Sequence, residues 1–204
     1  MKGISPMNEF SSKIGVGECG EARRPIMILA GSHRIGWHTS ALAAEAARQL
    51  REKGHSVDFV EVSALDLPMH NPEDHQNPHA SGDSRVRGFA DRIQAASAFI
   101  FVTPIYHGSY SSWLKRVIDH FTISLVHDKP MAIMVHGGGR FSGSAIEHLR
   151  SICVNLHGRL INTAVATNVG DFSADNGTLR VSNDIIVGRV ERVVEQINAE
   201  NIRS

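Results

Sequence analysis

One run of residues, GSHRIGWHTS at positions 31–40, concentrates groups that grip an anion. Gly31 ends an apolar stretch, Ser32 supplies a hydroxyl, Arg34 a guanidinium, and Thr39 and Ser40 stand where an amphipathic segment begins. The unpaired N–H groups and partial positive charge of a helix N-terminus favour an anion, and a Thr or Ser there adds a donor. A charge-assisted hydrogen bond from Arg34 would contribute roughly 1.5–3 kcal/mol. The plainer alternative makes Thr39 or Ser40 an N-cap and Arg34 a solvated surface residue. The position directly after the first apolar run of a βα unit, where phosphate sites occur, favours the anion.

Other constellations carry less. Residues 15–20, GVGECG, match the spacing of a dinucleotide fingerprint, but they precede the first apolar run and no helical pattern opens behind them. A nucleoside-triphosphate loop needs Lys before the helix hydroxyl, and His38 precedes Thr39. His70, His75 and His79, with Glu73 and Asp74, match neither a helical zinc pair nor a zinc ribbon, and Pro68, Pro72 and Pro78 keep that stretch extended. A mobile loop at the rim of a site is the expectation for residues 70–79. Cys153 lies among Ile152, Val154 and Leu156, and no Ser, His and Asp stand at nucleophile-elbow spacing, so covalent catalysis has no support. Asn176-Gly177-Thr178 is a glycosylation sequon only for a secreted chain.

The elements that must position these groups alternate regularly. Residues 1–24 are polar and lack sustained periodicity, and are expected to be an extension, ordered or not, before a single domain over 25–204. From Pro25 onward short apolar runs (PIMILAG, SVDFVEVS, AFIFVTP, PMAIMVHGG, RLINTAVATN) alternate with amphipathic ones (TSALAAEAARQLREKG, RVRGFADRIQAA, SSWLKRVIDHF, SGSAIEHLRSICVNLHG, DIIVGRVERVVEQINAE). Strands joined by helices of this length imply right-handed crossovers and a parallel sheet covered on both faces. The expected fold is α/β: a doubly wound, flavodoxin-like sheet of five parallel strands. Ligands of such sheets lie beyond the carboxyl ends of the strands, which singles out residues 31–40, 103–112, 136–144 and 167–176. Lys and Arg total 21 and Asp and Glu total 21, so nothing draws the chain in bulk to nucleic acid or an anionic membrane. Two cysteines without a disulfide or metal spacing, and an N-terminus without a secretory apolar region, set the expectation of a soluble cytoplasmic protein.

With those residues in view, the chain resembles the NADPH-dependent FMN reductase family. Gly31, Ser32, Arg34 and Thr39 match its first loop. Thr103, Pro104, Tyr106 and Ser109, followed by Leu114, Lys115, Ile118 and Asp119, match its second signature, and Gly137, Gly138 and Gly139 its glycine-rich turn. The likeness spans roughly residues 26–172. Many members carry Glu where Ile105 stands, Asn where His107 stands, and V-P-G where this chain has Tyr110, Ser111 and Ser112; Trp37 takes a position often held by Ser. The variant with Tyr110 is similar to members that supply reduced FMN to a separate monooxygenase.

The resemblance implies FMN as cofactor, NADPH or NADH as hydride donor, and hydride transfer from nicotinamide to flavin. It implies phosphate contacts from Ser32, Arg34, Thr39 and Ser40. Contacts to the flavin would come from Pro104, Ile105, Tyr106, His107, Gly108, Ser109 and Tyr110, and from His136, Gly137, Gly138 and Gly139. Tyr106 is open to a second reading as a core aromatic. No side chain is assigned to catalysis itself, with electrostatic help expected of His136 and Arg140 at the reduced flavin's anionic edge. A homodimer or homotetramer is implied, with Trp113 and Val117 as exposed apolar positions suited to it. A tightly FMN-bound quinone or azo reductase is the alternative enzyme. A flavodoxin-type electron carrier fits less well, since such carriers are strongly acidic and their phosphate loops lack Arg.

Overall fold

The computed structural model describes residues 24–137 and 142–202. The expected extension over residues 1–24 therefore lies almost wholly outside the described residues, as do Gly15 to Gly20, Gly138, Gly139 and Arg140. Five strands, β1 (Ile26–Ala30), β2 (Val57–Glu61), β3 (Ala98–Pro104), β4 (Pro130–His136) and β5 (Arg159–Thr167), pair in parallel in the order β2-β1-β3-β4-β5. That is the doubly wound order expected. Chain direction across the sheet reverses at β1, so the loops leaving β1 and β3 face each other across the crevice where this architecture binds ligands.

β1 is buried on both faces, and its alternation sorts the core into two layers. Met27 and Leu29 join Phe99, Phe101, Ile133 and Phe121 on one face. Ile26, Ile28 and Ala30 join Ile100, Val102 and Met134 on the other. Helices α2 (Ser84–Ala95), α3 (Ser112–Ile118) and α5 (Ser142–Asn155) cover the first face, and α1 (His38–Glu52) and α6 (Asp184–Ile202) the second. The small Ala43, Ala46 and Ala47 on the buried side of α1 let that helix lie close to the sheet, aiming its N-terminus at the carboxyl edge.

Three local features differ from expectation. The helix expected to run through Phe121 stops at Ile118, and a further turn, α4 (Ile123–Val126), precedes β4. Val117, expected to be exposed, is fully buried in the core beside Leu114 and Phe121, so it is unavailable to an oligomer interface; Trp113 is partly buried against the same core. Residues expected as an open loop after β5 form an antiparallel hairpin, β6 (Phe172–Asp175) and β7 (Thr178–Val181). Asp175 pairs with Thr178, and Asn176 and Gly177 between them have φ of 48° and 78°. This is a two-residue turn of the type that Asn-Gly favours. Among the described residues, no helix is long and apolar enough to cross a membrane.

Candidate functional site

The first turn of α1 sets the site. Its N-cap is Trp37, in extended backbone, and among the described residues no side chain caps it. Thr39 and Ser40 are therefore helical residues, which removes the N-cap alternative for either. By contrast Asp83 accepts from the Arg85 N–H at the start of α2, and Ser111 from the Leu114 N–H at the start of α3. The first amides of α1 remain without intrahelical acceptors, and no acidic residue stands in that turn to repel an anion.

The loop before α1 is stiffened from within. The Arg34 N–H donates to Ser32 Oγ at 3.0 Å, and the Gly36 N–H to Ser40 Oγ at 3.1 Å. On the neighbouring strand, burial raises the Glu61 carboxyl above the ordinary carboxylate range, and the Ser40 hydroxyl works against that rise. Ser40 thus serves the loop and the neighbouring strand, while Ser32 keeps its own O–H to donate. The Arg34 guanidinium lies over the Trp37 ring at 4.9 Å, a cation–π contact that positions it. Gly31 allows the close approach beneath: a Cβ there would stand 2.8 Å from both Leu114 Cβ and the Val102 carbonyl oxygen. Its own carbonyl accepts from the Ser111 hydroxyl, which ties the first loop to the start of α3.

The turn after β3 faces that loop. Tyr106 and Ser109 exchange two backbone hydrogen bonds of 2.9 Å, with His107 at φ 49° and Gly108 at φ 76°. This too is a two-residue turn that needs left-handed backbone at both central positions, and His is one of the non-glycine residues that tolerate it. The α5 side clamps the turn: the Ser144 hydroxyl donates to the Gly108 carbonyl at 2.5 Å, and Ser109 Oγ lies 3.0 Å from His148 Nδ1. Tyr106 is 51% exposed, so it is not a core aromatic. Tyr110 is partly buried and meets His148 edge-on.

A cavity of about 370 Å³ joins the two loops. Ser32, Arg34, Thr39, Pro104, Ile105, Tyr106, His136 and Gly137 line it, as do Trp37 and His38, which the sequence reading left out. Ser40, His107, Gly108, Ser109 and Tyr110 do not line it; they shape or brace the loops that do. The His136 imidazole stacks on that of His38 at 4.4 Å with 3° between planes, and the edge of Phe172 closes against both. Burial, then the neighbouring His38, pushes the His136 pKa down to about 4. His136 is therefore neutral near pH 7, and its ring is hydrogen-bonded to Thr167. Phe172 reaches the site because the hairpin carries it there, and the Asn-Gly dipeptide was the signal for that hairpin. Cys153, pushed up to about 12 by burial, is chemically silent.

The cavity suits a phosphate joined to a flat ring system: uncapped amides, a hydroxyl and a guanidinium at one end, an exposed Tyr and a glycine-bearing turn at the other. The profile of the NADPH-dependent FMN reductase family matches residues 25–171. The chain belongs to that family. Its relatives include an FMN-dependent NADPH-azoreductase of Staphylococcus haemolyticus, 33% identical over 175 residues, which are 84% of this chain and 92% of the relative. Another is the FMN-dependent NADPH-azoreductase of Staphylococcus aureus, 31% identical over 177 residues, with 84% and 92% covered. Among solved structures, a flavoenzyme NAD(P)H:(acceptor) oxidoreductase of Paracoccus denitrificans superposes with a TM-score of 0.67 at 19% identity, over 87% of this chain and 98% of that one. This last likeness speaks for the fold alone. The family's members are NAD(P)H-dependent flavin oxidoreductases, and the segment matched includes all three loops of the cavity.

Proposed function

We propose that this chain is an NADPH-dependent flavin reductase that retains FMN and passes its electrons to a small acceptor such as a quinone or an azo compound. The observation that carries the FMN assignment is the uncapped first turn of α1 opening into the same cavity as Tyr106. The fit is chemical as well as spatial. Ser32, Arg34, Thr39 and the α1 amides can all donate, as a phosphate needs, and Trp37 holds Arg34 in place. Pro104, Ile105 and the Tyr106–Ser109 turn would take the ring, with Gly137 closing the far side.

When bound, FMN supplies the redox chemistry, accepting hydride from a nicotinamide and releasing the electrons to an acceptor. What the protein adds is position and electrostatics. Arg34 and the α1 amides neutralise the phosphate, the braced turn after β3 fixes the plane against which a nicotinamide can lie, and the His38–His136–Phe172 wall excludes water from one side. The acceptor class is favoured by the two azoreductases, which this chain matches along most of their length. Tyr110, the residue that suggested delivery of free reduced flavin to a monooxygenase, is braced against His148 and stands outside the cavity lining.

The test is steady-state oxidation of NADPH and NADH by purified protein with its bound flavin recorded. Yellow protein that reduces a quinone or an azo dye without added FMN is expected. Colourless protein whose turnover rises only with added FMN would replace this reading with the flavin-supplying one, and no oxidation with any acceptor would remove both.

A further inference from the structure

His136 ends β4, registered between Pro104 of β3 and Thr167 of β5. Its Nδ1 lies 3.0 Å from Thr167 Oγ1. Thr167 Oγ1 also lies 3.2 Å from the buried Val135 carbonyl oxygen, which its one hydroxyl proton can reach. With that proton on the carbonyl, which can only accept, Thr167 Oγ1 accepts from His136, and Nδ1 carries the ring's hydrogen. A neutral imidazole protonated at Nδ1 has its lone pair on Nε2. Nε2 is thus an acceptor on a residue that lines the cavity, whose anion-gripping groups are the Arg34 guanidinium and the α1 amides. Phosphate oxygens cannot use it. A hydroxyl can, and the stack on His38, the first residue of α1, places this acceptor beside the phosphate end of the cavity.

We propose that His136 Nε2 accepts a hydrogen bond from a hydroxyl of the polyol chain that joins the phosphate of FMN to its ring, and so makes the site selective for a hydroxylated chain. This rests on the FMN reading above. Thr167 acts through His136 as a positioning residue, holding the tautomer that leaves Nε2 free to accept.

The test compares FMN with a flavin carrying a pentyl phosphate chain, identical in ring and phosphate but without the chain hydroxyls. Wild-type protein should bind FMN about fivefold more tightly, the size of one neutral hydrogen bond. His136→Phe, which keeps an aromatic ring against His38, should lower FMN affinity to that of the pentyl analogue and leave the analogue's affinity unchanged. Nitrogen-15 spectra of histidine-labelled, ligand-free wild type should show Nδ1 protonated and Nε2 bare, a readout that needs no variant to fold. Equal wild-type affinity for the two flavins, equal losses in His136→Phe, or a proton on Nε2 would each overturn the proposal while leaving the FMN site intact. Wild type that binds neither flavin would remove the FMN reading, and the proposal with it.

Discussion

The loops that leave β1 and β2 start from neighbouring strands and are built from similar residues, yet they do opposite things with them. The first, residues 31–37, is anchored at Gly31 and beyond it uses hydrogen bonds to set its own curvature, which leaves Arg34, Ser32 and the α1 amides facing a cavity. The second, residues 62–83, has many of its polar groups tied into the protein, though Ser63 Oγ, His70 Nδ1 and His79 Nε2 are buried without a hydrogen-bond partner among the described residues. Arg116 donates to the carbonyls of Val62, Leu65 and Leu67, and His120 Nε2 lies 3.0 Å from the Pro68 carbonyl oxygen. Arg85 bridges Asp83 and Asp66, the Ser81 hydroxyl bonds Asp74, and His79 meets Asp91. The His70 ring packs edge-on against those of His75 and His120. The expectation of a mobile rim meets a segment tethered at several points. Residue type alone does not separate a binding loop from a structural one; what separates them is whether the donors face each other's acceptors or an open space.

The contrast can be broken most severely at the base of the first loop. Gly31→Ala drives a Cβ into a backbone oxygen and another Cβ, neither of which can swing aside. It should cost about 2–4 kcal/mol of stability and abolish flavin binding together, seen as a large fall in melting temperature; unchanged melting would show that loop and α3 are not held at contact. Arg116→Ala should leave three carbonyls of the second loop short of a partner and cost about 1–3 kcal/mol, while FMN affinity moves little. A large loss of FMN affinity at unchanged stability would assign the second loop to the site. Trp37→Ala should weaken FMN about two- to fivefold by freeing Arg34, with little effect on melting, matching an exposed cation–π contact of about 0.5–1 kcal/mol. A separate effect concerns acid. His136 has its folded pKa lowered to about 4 against an ordinary value near 6.5, so the unfolded chain binds the extra proton between those values. That stability is fully present above about pH 6.5 and lost as pH falls toward 4, and His136→Phe should flatten the melting curve across that window.

Much of the fold was legible from the chain because central parallel strands are continuous apolar runs and the helices between them are strongly amphipathic, as in IMILA and the Ala-rich segment after it. The β6–β7 hairpin was not, since its strands are four residues each and largely exposed, and only Asn176-Gly177 announced it. Within the site, Ser32, Arg34, Thr39, Pro104 and Tyr106 were legible because loop position and residue chemistry coincide. His38, Phe172 and the tautomer of His136 depend on contacts between residues far apart in the chain, which no local pattern encodes. Val117 was misplaced because a helix of only seven residues shows too few turns to reveal which side is buried.

Everything proposed for the cavity depends on the first loop holding the phosphate of FMN. Its most direct test is the affinity of wild type and Arg34→Ala for FMN and for riboflavin, which lacks the phosphate. Arg34→Ala should weaken FMN about 10- to 100-fold, the worth of a charge-assisted hydrogen bond, and leave riboflavin nearly unchanged. Equal weakening of both flavins, or none of either, would contradict it.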